Sequence, residues 1–176
     1  MIDRELHNYE LPHDEKICSV QTRVGDIFTS QMQTIVCPCG LTGTMNGGIS
    51  SRFKEIYPGM YDRYKDLCSM GKLNIGALYV YTVPADYKKV LCFPTKTDPK
   101  KGSKIEYIVA GLRKFVDIYE KAGITSVAFP MLGCRKGGLR TSDVFPIMLE
   151  FLKDIKIPVE IWFLMEEKEP EMSSLF

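Results

Sequence analysis

The sequence predicts an α/β fold: a single three-layer α/β/α domain built on a mixed central sheet. Three observations predict it. Short apolar runs, at residues 34–37 and 127–132 among others, alternate with segments whose apolar residues recur every three or four positions. Two of these runs lead into glycine-rich loops, Gly43-Thr44-Met45-Asn46-Gly47-Gly48-Ile49 and Gly133-Cys134-Arg135-Lys136-Gly137-Gly138-Leu139. The chain has 176 residues, 45% hydrophobic and 26% charged, enough for one core that buries roughly 70% of the extended-chain surface.

Residues 17–24 alternate partially and read as a first strand, ending at Gly25-Asp26-Ile27, where Asp26 begins a short loop or turn. Residues 34–37 form the next strand, apolar enough to be buried on both faces. Between Gly48 and Cys68, Ile49, Phe53, Ile56 and Tyr57 and then Tyr61, Tyr64 and Leu67 mark two successive helices, broken at Pro58-Gly59. Strands at 77–83 and 89–93 flank Pro84-Ala85-Asp86-Tyr87, a hairpin-like turn that makes the sheet mixed. Ile105, Ile108, Val109, Leu112, Phe115, Val116 and Tyr119 trace an amphipathic helix ending near Gly123. A strand at 127–130 follows, then a helix capped by Ser142 and running through Leu152, then a last strand at 159–164. The tail from Glu166 reads as a frayed terminus. No repeat divides the chain, so residues 1–176 are expected to be one domain with its core at about 17–164.

Formal net charge is +1, which lacks the global electrostatic footprint of a general nucleic-acid binder. Lys88-Lys89 and Lys100-Lys101 with Lys104 read as solvated loop charges, with a role beside phosphates as the alternative. The first residues hold no apolar targeting core, and no stretch reaches the ~18 apolar residues of a membrane span; a soluble, cytoplasmic protein without membrane partners is expected. Six scattered cysteines, at 18, 37, 39, 68, 92 and 134, fit reduced thiols in a reducing cytosol. Cys37-Pro38-Cys39 has no second Cys/His pair, and His7 and His13 lie far from either glycine loop, so no metal is expected.

A strand, a glycine turn and a helix N-terminus together expose backbone N–H groups beside the positive end of a helix dipole, which suits an anion. Two such loops suit two phosphates. The first is neither a dinucleotide fingerprint nor a P-loop, because its spacing is not G-x-G-x-x-G and no Gly-Lys-Ser/Thr closes it.

Four motifs in order resemble the macrodomain family over residues 17–164: Gly25-Asp26-Ile27, Met45-Asn46-Gly47-Gly48-Ile49, Phe93-Pro94-Thr95-Lys96, and Pro130-Met131-Leu132-Gly133-Cys134-Arg135-Lys136-Gly137-Gly138-Leu139. Within that family the chain is similar to the subgroup of terminal ADP-ribose-protein glycohydrolase and of antitoxin macrodomains that reverse DNA ADP-ribosylation. The Lys104-Ile105-Glu106 run matches the helix start of that subgroup.

The resemblance implies ADP-ribose, or an ADP-ribosylated macromolecule, as partner, with nucleic acid entering only as a modified substrate and no cofactor needed. Asp26 and Ile27 would meet the adenine. Met45, Asn46, Gly47, Gly48 and Ile49, with Pro130, Leu132, Gly133, Cys134, Arg135, Lys136, Gly137, Gly138 and Leu139, would wrap the diphosphate and distal ribose, Thr95 lying beside them. Lys96 is the catalytic residue the resemblance implies, acting at the anomeric carbon or on an opened ribose, and Lys100, Lys101 and Lys104 follow it closely.

Each residue also has a plainer reading: Asp26 as a turn residue, Asn46 as a left-handed loop residue, Lys96 as a surface lysine, Cys134 and Cys37 as packing. Two departures bear on catalysis. Cys37 and Gly40 stand where hydrolytic relatives often carry asparagines, and Gly137 stands where the protein glycohydrolase carries an acid; the antitoxin branch also has glycine there. A non-catalytic ADP-ribose reader or sponge, and an ADP-ribose 1″-phosphate phosphatase, are the alternatives to a hydrolase of ADP-ribosyl linkages.

Overall fold

The structure, a computed structural model, describes residues 20–165. The start of the first expected strand, Cys18, both histidines and the expected frayed tail lie outside the described residues. In chain order the elements are β1 (Val20–Val24), a 3-10 turn (Ile27–Thr29), β2 (Thr34–Cys39), α1 (Gly48–Ile56), α2 (Pro58–Ser69), β3 (Tyr79–Thr82), β4 (Lys89–Pro94), α3 (Ile105–Ile118), β5 (Val127–Pro130), α4 (Thr141–Leu152) and β6 (Val159–Phe163). The six strands form one sheet in the order β1-β6-β5-β2-β4-β3, every neighbouring pair parallel except β3 with β4. The sheet is mixed, as the hairpin requires.

Period-two alternation in β2 explains why that strand reads as uninterrupted apolar sequence. Ile35, Cys37 and Cys39 face α1 and α2 with Phe53, Met60 and Tyr64, while Val36 faces α3 and α4 with Leu112, Phe115 and Met148. Each face of the sheet therefore has its own apolar layer, and the three layers follow.

Four expectations are adjusted. β2 runs two residues further than expected, through Pro38. Its register with β5 ends at Ile35, whereas β4 pairs as far as Cys39, so Pro38 lies where only one edge of the strand is paired. β3 begins at Tyr79 rather than at residue 77, and the turn to β4 holds Tyr87 at φ 59°. Ser142 is not the cap of α4: the helix starts at Thr141 with Arg140 as extended N-cap residue, and Arg140 pairs with Asp143 one turn on at 2.8 Å. α3 ends at Ile118 with Tyr119 as C-cap, earlier than the expected end near Gly123, which instead closes the turn that follows, at φ 67° with the Ile124 N–H donating back to Tyr119 O at 3.0 Å.

Because the strands are parallel, the segments that follow β1, β2, β4 and β5 emerge at one end of the sheet. β2 lies between β5 and β4, so its glycine loop stands between the other two long loops. That convergence builds the site.

Candidate functional site

The first glycine loop is held from below by tyrosines of α2. The Tyr64 hydroxyl donates to Gly40 O at 3.0 Å, and the Tyr61 hydroxyl donates to Gly43 O at 3.3 Å. Tyr64 is fully buried, and burial pushes its phenol up, so it stays a donor. Met45 is buried among the α1–α2 core residues and anchors the loop there, leaving Asn46 exposed at the rim. α1 then begins at Gly48 (φ 60°), with Gly47 as N-cap and no side chain capping its first turn. The Ser50 and Ser51 hydroxyls donate back to Gly47 O and Gly48 O instead. The first-turn N–H groups and the positive helix end thus stay available to an anion.

The second loop is a closed turn. The Leu139 N–H donates to Gly133 O at 3.0 Å and the Gly138 N–H to Arg135 O at 3.1 Å, with Gly133 and Gly138 at positive φ. Leu132 is buried in the α3–α4 core and Pro130 in β5, so both reach the site only through backbone. Cys134 is half-buried, its thiol on Leu132 O at 3.5 Å. A Cβ at Gly137 would overlap Gly133 O and Ser103 Oγ. This loop therefore has no room at 137 for the acidic residue of the protein-glycohydrolase pattern.

Lys96 follows β4 through Pro94 and the buried Thr95, whose N–H donates to Cys39 O at 2.9 Å. Its ammonium crosses the end of the sheet and donates to Lys136 O at 2.8 Å. The Lys136 side chain continues to Gly47, where an added Cβ would overlap its ammonium. Lys136 thus spans the gap between the two glycine loops. Among the described residues no carboxylate pairs with it. An unpaired cation at the positive end of α1 is an unfavourable juxtaposition, relieved by an anion between them.

At the far side of this row, Asp26 caps the 3-10 turn by accepting the Phe28 N–H at 3.1 Å. Both carboxylate oxygens also accept from Arg52 of α1, at 2.8 and 3.0 Å, and the guanidinium lies 4.4 Å over the Phe28 ring. The hydrogen-bonded Arg52 holds the Asp26 carboxyl below the usual carboxylate range. Ile27 is buried beside it.

The converging loops bring Gly47, Gly48, Lys96, Lys136 and the second turn together, with Asp26 joined to α1 through Arg52. Four participants carry no functional signal in the sequence. Arg52 lies in α1 and is recognisable only once α1 is known to pass Asp26. Ser103, whose N–H donates to Gly137 O at 2.9 Å, and the two α2 tyrosines gave no sequence signal beyond loop and core. Of the departing positions, Gly40 borders the Lys96 carbonyl, whereas the Cys37 side chain is wholly buried on the α1–α2 face. Burial pushes the thiols of Cys37 and Cys39 well up, so they are neutral packing groups. Among the described residues no group of three His, Cys, Asp or Glu side chains is placed to hold a metal.

A concavity of about 370 Å³ lies at the opposite end, between the C-terminal halves of α3 and α4. Its lining includes Asp117, Glu120, Glu150 and Asp154 against Lys121 alone, which repels a diphosphate.

A family model described as Macro domain matches residues 36–148. A curated relative, the DNA ADP-ribosyl transferase-DNA ADP-ribosyl glycohydrolase fusion protein of Thermosipho africanus, is 35% identical over 95% of this chain and 47% of its own length. Among solved structures, Thermosipho africanus DarTG in complex with ADP-ribose matches with a TM-score of 0.77 at 37% identity, over 84% of this chain and 43% of that one. The macrodomain of Mycobacterium tuberculosis DarG matches with a TM-score of 0.76 at 29% identity, over 82% of this chain and 97% of that one. This chain spans about half or less of the length of the curated relatives it matches.

Proposed function

Since the chain belongs to the Macro domain family, we propose that it binds ADP-ribose across the two glycine loops and hydrolyses the bond joining ADP-ribose to a macromolecule. The observation that carries this reading is the Lys96–Lys136–Gly47 row. It sets one amine beside the junction of the two glycine loops, where the start of α1 meets a cation without a counter-ion. Asp26 retains lone pairs for an adenine amine after accepting from Arg52 and Phe28. Lys96 then acts at the anomeric carbon of the distal ribose, or on its opened form, and water completes release of ADP-ribose. DNA is the foremost macromolecule, because this chain is 35% and 36% identical to relatives whose names give DNA ADP-ribosyl glycohydrolase. The described cysteines are free thiols, which supports a reducing, cytoplasmic setting.

The test is a Lys96→Ala variant. Calorimetry should show ADP-ribose affinity within a few-fold of the parent, while turnover of an ADP-ribosylated oligonucleotide falls by at least about 10²-fold, as for loss of a group acting in the transition state. Turnover retained in that variant removes Lys96 from the chemistry. A non-catalytic reader is the second reading, favoured by Cys37, whose buried side chain contributes nothing to the loops. Binding without turnover on DNA-linked or protein-linked ADP-ribose would establish it in place of the hydrolase.

A further inference from the structure

Loops 95–104 and 131–140 form one continuous surface beside the site. The Ser103 N–H donates to Gly137 O, Lys96 Nζ donates to Lys136 O, and Gly102 lies against Gly137 O. These two loops hold seven cations and a single acid, Asp98. Seven of the chain's 23 Lys and Arg thus lie in these two loops, against one of its 22 Asp and Glu, so positive charge is gathered here. Lys100, Lys101, Lys104 and Arg135 are exposed, as is Lys136. Among the described residues none of these five pairs with a carboxylate; Arg140 alone does, with Asp143. Asp98 is turned onto the Lys100 N–H at 2.7 Å, and the Lys104 ammonium lies 5.7 Å from the centre of the half-buried Tyr107 ring.

We infer that this rim is a seat for the sugar-phosphate backbone of a single-stranded DNA whose ADP-ribosyl group enters the loops; the inference rests on the ADP-ribose reading of the site. A run of unpaired cations with almost no acids complements a polymer bearing one negative charge per nucleotide. It offers little to a protein surface, where both signs alternate. A cation beside an aromatic ring is the combination that single-strand surfaces use, charge for the backbone and a ring for a base. A single strand fits this surface better than a duplex, because its unstacked bases can meet the Tyr107 ring while its phosphates follow the lysines. Near-neutral overall charge keeps affinity for unmodified strands weak, so the ADP-ribosyl group selects and the rim holds.

The experiment compares the parent with the Lys100→Gln/Lys101→Gln/Lys104→Gln variant. Calorimetry reads free ADP-ribose, and fluorescence anisotropy reads one oligonucleotide in ADP-ribosylated and unmodified forms from 50 to 300 mM salt, concentrations being about those over which such contacts respond. The parent should bind the modified oligonucleotide at least about tenfold more tightly than free ADP-ribose. The variant should lose about that factor, and its log–log salt slope should be shallower by about 2, at ~0.7 per lost single-strand phosphate contact. Its ADP-ribose affinity and melting temperature should match the parent. An unchanged oligonucleotide affinity in the variant overturns the rim, as does displacement of the oligonucleotide by a glutamate-rich peptide as readily as by unmodified DNA. If the parent fails to bind free ADP-ribose, the site reading falls. The rim then stands or falls on whether unmodified DNA binds with a salt slope that the variant reduces.

Discussion

Asp26 caps the turn after β1, and in the proposed binding mode the same carboxylate accepts from the adenine. Both depend on the ionised form, which Arg52 stabilises by a two-point hydrogen bond. Because the Asp26 carboxyl titrates below its ordinary value of 3.8, the ionised acceptor is fully present above that value and is lost as pH falls through the lowered one. Removing Arg52 moves this loss back up toward the ordinary carboxylate range. Asp26→Ala should weaken ADP-ribose binding by about tenfold or more, the equivalent of a hydrogen bond to a charged group at ~1.5–3 kcal/mol. Ribose 5-phosphate, which has no adenine, should bind both proteins alike. Arg52→Ala should bind ADP-ribose nearly normally at neutral pH but lose affinity at higher pH than the parent during acid titration. An unmoved acid limb would separate Asp26 from ligand binding. Neither change should alter the melting temperature by much, since both side chains are nearly half exposed and such pairs contribute about 0–1 kcal/mol.

The glycine loops separate two demands on glycine, open backbone geometry and close approach. Gly48 needs its positive φ to enter α1, whereas Gly47 has φ −171°, extended backbone open to any residue. A Cβ at Gly47 meets only the Lys136 side chain, a flexible tip that can swing aside. Gly47→Ala should therefore leave the melting temperature within about 1–2 °C of the parent, as for a surface change below ~0.5 kcal/mol. ADP-ribose affinity should nevertheless fall at least about tenfold, because the new methyl stands between the α1 N-terminus and a bound phosphate. Normal affinity in a normally folded variant would show that the diphosphate does not cross Gly47. The loops themselves were legible, since glycine runs after apolar strands announce a local geometry that short sequence windows hold. Their supports were not. Tyr61, Tyr64, Arg52 and Ser103 act by touching loops from other parts of the chain, through neighbours that a sequence window does not contain. The α4 start differs from the expected Ser142 cap for a local reason: Arg140 stands at the N-cap and pairs with Asp143 in the first turn.

Across the whole molecule, the sheet order decides where the chemistry sits, and no single strand discloses that order. Buried parallel strands read as apolar runs whether they lie first or fourth in a sheet, so the element sequence was legible while β2's place between β5 and β4 was not. The packing that locks β4 in place tests this arrangement. Gly111, inside α3, faces Phe93 of β4, three residues before Lys96, and a Cβ there would overlap the buried ring. Helix propensity alone makes Gly111→Ala stabilising by about 1 kcal/mol, whereas overpacking a rigid core ring costs about 1–3 kcal/mol. The overlap is deep and the ring has no exposed surface to yield, so packing should win by up to about 2 kcal/mol, lowering the melting temperature by about 4–8 °C. Strain at β4 should also reduce turnover more than ADP-ribose affinity, because the Lys96 amine rides on that strand while the glycine loops follow β2 and β5. Phe93→Leu opens space beneath the new methyl, so the double variant should be more stable than the sum of the two single changes predicts. A melting temperature that rises in Gly111→Ala, with simple additivity in the double variant, would mean that α3 does not press on β4 at this point and that Lys96 is held by its loop contacts alone.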